Sequence, residues 1–126
     1  MFTKQVDAAL TLIALSIFAD KRILSTEISA FIESADVIQA NLNSDIPITE
    51  AKLLVWFEMN RGNIKEKMEI SGKRFRTWLD QLLDEVDTLP DKRFIVELIE
   101  SIARSDGEYH VSEVALAVII DRKFKA

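Results

Sequence analysis

Four carboxylates occupy the two ends of one short frame. Asp20 and Glu27 stand seven residues apart, and Asp106 and Glu113 repeat that spacing 86 positions later. Three residues after each Asp comes an apolar side chain, Ile23 in the first copy and Tyr109 in the second. If the two segments face each other across a pseudo-twofold axis, up to four carboxylates converge, and such a group requires a cation. Oxygen-only ligands favour Mg, Ca or Mn over zinc, and the loop is too short for the twelve-residue spacing of a calcium-binding EF-hand. His110, the one histidine of the chain, could add a nitrogen ligand, although a lone loop histidine is usually a solvated or capping residue.

The same four residues also admit a purely structural reading. Each Asp falls near the expected C-terminus of a helix, where negative charge is disfavoured by about 0.3 to 1 kcal/mol, so each needs compensation. Loop amides that follow the Asp would provide it in an Asx turn. Glu27 and Glu113 sit where a first-turn Glu is favoured by both the dipole and capping geometry. The second pair is the stronger half of any ion site. Gly107 follows Asp106 and no cation adjoins it, whereas Lys21 and Arg22 crowd Asp20. A lysine in the left-handed conformation that Gly107 tolerates costs roughly 1 to 2 kcal/mol.

The elements that must position these residues follow from apolar periodicity. Leu98, Ile99, Ile102 and Ala103 share one helix face before the Asp106-Gly107 stop, and Val114 to Ile120 carries no charge, which predicts a second helix buried nearly all round. Leu12, Ile13, Ile28 and Ile32 match Leu98, Ile99, Val114 and Val118 in the shifted frame, so an internal duplication of helix-loop-helix units is expected. Phe2, Val6, Ala9, Leu10, Ile13 and Ile17 predict a central first helix ending near Asp20. A second helix opens at Leu24 or Ser25 and carries Ile28, Phe31, Ile32, Ala35 and Ile38, and Asn41 to Pro47 reads as a loop. Thr49-Glu50 starts a third helix with Leu53, Trp56 and Phe57 inward, and Gly62-Asn63 predicts a break with a short fourth piece through Met68. Ser71-Gly72 opens a fifth helix with Phe75, Trp78, Leu79, Leu82, Leu83 and Val86 inward, its tryptophan read as core rather than as a ligand platform. Pro90 begins a sixth. The expected fold is all-α, one domain over residues 1–126 with about seven helices.

Composition agrees. A chain of 126 residues removes roughly 65 to 70% of its unfolded surface from water, enough for a single core. Only three Gly and two Pro accompany 48% hydrophobic residues, which favours helices over a turn-rich β fold. The absence of Cys excludes disulfide scaffolds, thiol nucleophiles, zinc fingers and iron-sulfur clusters, and leaves the cytoplasm as the default compartment. The apolar run from Ala8 to Ala19 is too short to span a bilayer, and Asp7 disfavours a secretory leader.

A net charge of −5 argues against nucleic acid as the main partner. The charge is unevenly placed. Arg61, Lys65, Lys67, Lys73, Arg74 and Arg76 face only Glu66 and Glu69 in their stretch, while Asp80, Asp84, Glu85, Asp87 and Asp91 follow without a cation among them. Either these are solvated faces of ordinary helices or the surface docks a protein partner electrostatically. The sequence leaves the oligomeric state open. Catalytic signatures are missing: there is no Gly-x-Ser-x-Gly, no phosphate-binding Gly-rich loop and no His-Glu-x-x-His. A non-enzymatic chain is expected, with a carboxylate-metal enzyme or a purely structural interaction domain as alternatives.

On Ala19-Asp20 with Glu27, Ser105-Asp106-Gly107 with Tyr109 and Glu113, and the helical pattern over nearly the whole chain, the sequence resembles the TerB-like family, named for bacterial tellurite-resistance proteins. The second copy follows the family's loop pattern, and the first departs from it at Lys21. The resemblance implies a compact helical fold, a role near tellurite or metal-ion stress resistance, and divalent-cation binding through acidic loops. It does not imply an enzyme. Family members also occur as parts of larger assemblies, which implies an interaction module.

Overall fold

A helix made of Ala, Leu and Ile on every side has no face to offer water, and neighbouring helices pack against it. In the computed structural model, which describes residues 2–18, 25–69, 72–105 and 118–124, this helix is α1, Lys4–Phe18, and every residue from Ala8 to Phe18 is buried. Around it stand α2, Ser25–Glu33; α3, Ala35–Leu42; α4, Glu50–Glu69; α5, Lys73–Val86; and α6, Arg93–Ala103. A further helical segment covers 118–124. The described residues contain no strand, so the all-α expectation holds. α1 packs chiefly on α6 and α5, and also on α4 and α2, which makes it the hub of the core.

Aromatic rings lock α1, α2 and α4 together. Phe57 stacks on Phe18 with centroids 5.7 Å apart, and Phe31 lies against both Trp56 and Phe57 at 5.7 and 6.1 Å. The Trp56 indole Nε1–H donates to Asp7 Oδ1 at 2.7 Å, tying α4 to the first turn of α1. On α6, Phe94, Ile95, Leu98, Ile99, Ile102 and Ala103 are all buried, as their spacing predicts.

Several boundaries differ from the sequence reading, each for a local reason. The helix expected to run from Ser25 through Ile38 breaks at Ser34, whose N–H donates to the Phe31 carbonyl at 3.1 Å in place of the regular ladder, while its Oγ–H donates to the Ala30 carbonyl at 2.8 Å. Phe31, Ala35 and Ile38 still reach the core across the break. The loop after α3 is pinned by Gln39, whose Oε1 accepts the Ile48 N–H at 2.7 Å, while Asn43 takes a left-handed φ of 50° as the exit. Thr49 caps α4 through the Lys52 N–H, as expected.

α4 does not break at Gly62-Asn63. It runs unbroken for 20 residues, because Gly62 lies on an exposed side with nothing within 4 Å of where a Cβ would stand, and the buried side carries Leu53, Trp56, Phe57 and Ile64 past it. α6 starts at Arg93 rather than at Pro90; Asp91 Oδ1 accepts the Arg93 N–H at 2.9 Å and fixes the entry. The segment expected to be buried nearly all round is not so at its end. Ile120 is fully buried, but Val118 and Ile119 are 42% and 46% exposed.

Candidate functional site

Of the four carboxylates in the repeated frame, the structure describes Glu27. Asp20, Asp106 and Glu113 lie outside the described residues, as do His110 and the two loops whose twofold relation the sequence suggests. Glu27 occupies the first turn of α2, where dipole and capping favour a carboxylate, yet it is only 1% exposed. A first-turn Glu that serves as a cap needs no such burial. Taking a carboxylate out of water costs several kcal/mol, which the contacts that Glu27 makes must offset.

A second buried polar group stands on the other side of the Asp20 segment. Ser16, in the last turn of α1, is fully buried, and its Oγ has no hydrogen-bond partner among the described residues. The described buried polar side chains are Thr11, Ser16 and Glu27; Thr11 is satisfied by the Asp7 carbonyl at 2.8 Å. The other two flank residues 19–24 at the C-terminal end of α1 and the N-terminal end of α2. Both offer oxygen, which suits a hard divalent cation. Sequence reasoning missed Ser16, since a serine within an apolar helix carries no signal of its own.

α2 also packs on α6, whose C-terminal turn leads towards Asp106. There the Ser105 N–H and Oγ–H both donate to the Ile102 carbonyl, at 3.1 and 2.7 Å, closing the helix end. Among the described residues no three His, Cys, Asp or Glu side chains gather closely enough to hold a metal ion.

The charged middle of the chain forms a second candidate, built by α4 and α5. The basic stretch places Lys67 near the end of α4 and Lys73 and Arg74 in the first turn of α5. With Thr77, Trp78 and Gln81 they line a groove of about 660 Å³. No described carboxylate lies within ion-pair distance of these three cations. Leu79, Leu83 and Val86 take the fully buried side of α5; Trp78 is half-buried, packs against the core beside Phe75 with ring centroids 6.0 Å apart, and also lines the groove.

The groove continues along α5. Trp78 and Gln81 also border a second hollow of about 350 Å³, closed by Leu82 and Glu85 of α5 and by Lys4, Asp7 and Ala8 of α1. α5 is thus cationic at its start and acidic at its end, both the reverse of what its macrodipole prefers. A separate hollow holds Asp80, Asp84 and Asp87 with Lys123 and Phe124; Lys123 Nζ stands 3.2 Å from Asp80 Oδ1, and Lys92 Nζ lies 5.8 Å from the Phe124 ring centre.

No helix among the described residues is long and apolar enough to cross a membrane. No protein-family model, curated protein or solved structure matches the chain.

Proposed function

We propose that the chain is a non-enzymatic, TerB-like module of the cytoplasm, associated with tellurite or metal-ion stress, that docks a protein partner through its α4–α5 face and holds a divalent cation through its acidic loops. The observation that carries the docking half is the groove at Lys67, Lys73 and Arg74, three cations without a described carboxylate beside a half-exposed tryptophan. Uncompensated like charges persist on a surface at some cost in stability, and an acidic partner removes that cost. Capture from cell lysate at low salt, lost at roughly 0.5 M salt and lost in Arg74→Glu, is the expected result. Capture that is indifferent to both removes the support for this reading.

The cation half rests on the repeated acidic frame and on the burial of Ser16 and Glu27 on either side of the Asp20 segment in the sequence. Asp106, Glu113, Asp20 and Glu27 are the proposed ligands, and Mg, Ca or Mn the proposed ions. An ion bound only by the folded state adds about 2.7 kcal/mol of stability at a hundredfold excess over Kd. Titration of Ca, Mg and Mn into chelator-treated protein is expected to raise the unfolding midpoint, and to raise it less in Asp106→Asn and Glu113→Gln. A flat wild-type response at millimolar metal would falsify the site and leave the four acids as devices that end and restart helices.

A further inference from the structure

We infer that the occupant of the α4–α5 groove is the same groove of a second copy, with the two α5 helices paired antiparallel about a twofold axis. The inference rests on the reading of this face as a docking surface and names what docks there. Arg74, Trp78, Gln81 and Glu85 are spaced by four, three and four residues, so they form one stripe along the helix. None of the four is buried, and together they line the two hollows that join at Trp78 and Gln81.

The spacing reads the same in both directions. In an antiparallel pair Arg74 meets Glu85 of the other copy, Trp78 meets its Gln81, and both contacts occur twice. Such 4-3-4 spacing is also the one that keeps a stripe facing a partner helix at a shallow crossing angle. The end charges, each unfavourable for an isolated α5, become favourable in the pair, because the two macrodipoles then oppose and each cationic start lies beside an acidic end. Lys67 beside Arg74 and Lys4 beside Glu85 extend the walls to α4 and α1.

The centre of the contact is apolar and its ends are charged. Trp78 lies within the stripe and Phe75 and Leu82 stand beside it, all three half-buried, and a central aromatic with a charged rim is the usual anatomy of a specific interface. The described part of α5 has 14 residues, about 21 Å of helix, so the contact is small and its affinity belongs to the transient class. A foreign acidic segment would satisfy the cationic end but would leave Glu85 facing its own charge; only a bipolar partner satisfies both ends, and the chain itself is one.

Charge exchange tests this. Sedimentation equilibrium of the full chain at low salt is expected to show a monomer–dimer equilibrium that weakens about tenfold or more at roughly 0.5 M salt. Arg74→Glu alone places like charges opposite each other twice, and so does Glu85→Arg alone; each is expected to stay monomeric over the range where wild type dimerises. An equimolar mixture of the two variants restores opposite charges at both ends and is expected to form a heterodimer, and the double exchange in one chain restores the homodimer. Both positions are exposed, and unchanged helical circular dichroism checks that the variants fold. Wild type that remains monomeric to about 1 mM overturns the pairing, as does either single variant that dimerises like wild type. If wild type is monomeric while Arg74→Glu still abolishes salt-sensitive capture of another protein, self-pairing fails and the docking reading stands; if both experiments fail, both fall.

Discussion

The bond from the Trp56 indole to Asp7 is a polar contact that the described structure places between two core helices, and its energetic weight can be derived. Trp56 is 4% exposed and its Nε1 lies 2.7 Å from Asp7 Oδ1, across 49 residues of sequence. A hydrogen bond to a charged acceptor is worth about 1.5 to 3 kcal/mol, and orphaning a buried donor costs about 1 to 3. Asp7→Ala leaves the indole N–H without its acceptor and is expected to cost about 2 kcal/mol. Trp56→Phe removes the donor, and it also shrinks the ring that lies against Phe31, so its larger cost mixes packing with hydrogen bonding. The double variant separates the two. The cycle is expected to yield a coupling energy of about 1 to 2 kcal/mol. The assay is urea denaturation followed by far-ultraviolet circular dichroism, with equal m values required so that the differences report stability alone. In thermal melts about 2 kcal/mol corresponds to a fall of roughly 5 to 10 °C for a chain of this size. A coupling energy within about 0.3 kcal/mol of zero refutes the assignment, for it would mean that water serves Asp7 and Trp56 as well as they serve each other.

Further outcomes follow from single residues. Gly62→Ala is expected to stabilise the chain by about 0.5 to 1 kcal/mol, since the position is helical with open space around it, whereas Gly72→Ala, at a φ of +67°, is expected to cost about 1 to 2 kcal/mol; denaturation midpoints that move the other way would place Gly62 at a helix break after all. Asp91 is held below the usual carboxylate range by the Arg93 side chain, which donates to its carboxylate, and by the Arg93 backbone N–H. Its lowered folded-state pKa means that the interaction contributes above the unfolded value and is lost as pH falls through the lower, folded value. Carboxyl titration by nuclear magnetic resonance should show Asp91 titrating low in wild type and moving up in Arg93→Ala, and an unmoved Asp91 would rule out the guanidinium as cause.

The helical class and most of the inward faces were legible in the sequence, because a helix buries whichever side its apolar residues share. α1 carries them on all sides and so had to be central; α6 carries them on one, and that side is the buried one. Breaks were less legible, because they depend on competition between local preference and tertiary support. Gly62 weakens α4 by about 1 kcal/mol, and the burial of Leu53, Trp56, Phe57 and Ile64 on its opposite side outweighs that. The chain leaves the regular helix at Ser34 although the apolar period continues through Phe31, Ala35 and Ile38, so periodicity does not mark the break.

For the candidate sites the division is sharper. Spacing alone marked the repeated acidic frame and the uneven charge of residues 61–91, since both are properties of a one-dimensional pattern. Only the tertiary structure decided that Glu27 and Ser16 are buried on either side of the same segment, and that Trp78, packed against the core, also lines a groove. Burial is a property of neighbours distant in the chain. α5 meets α1 and α4 with Leu79, Leu83 and Val86 fully buried, while Trp78 packs against the core with one side and borders the groove with Arg74 and Gln81 on the other.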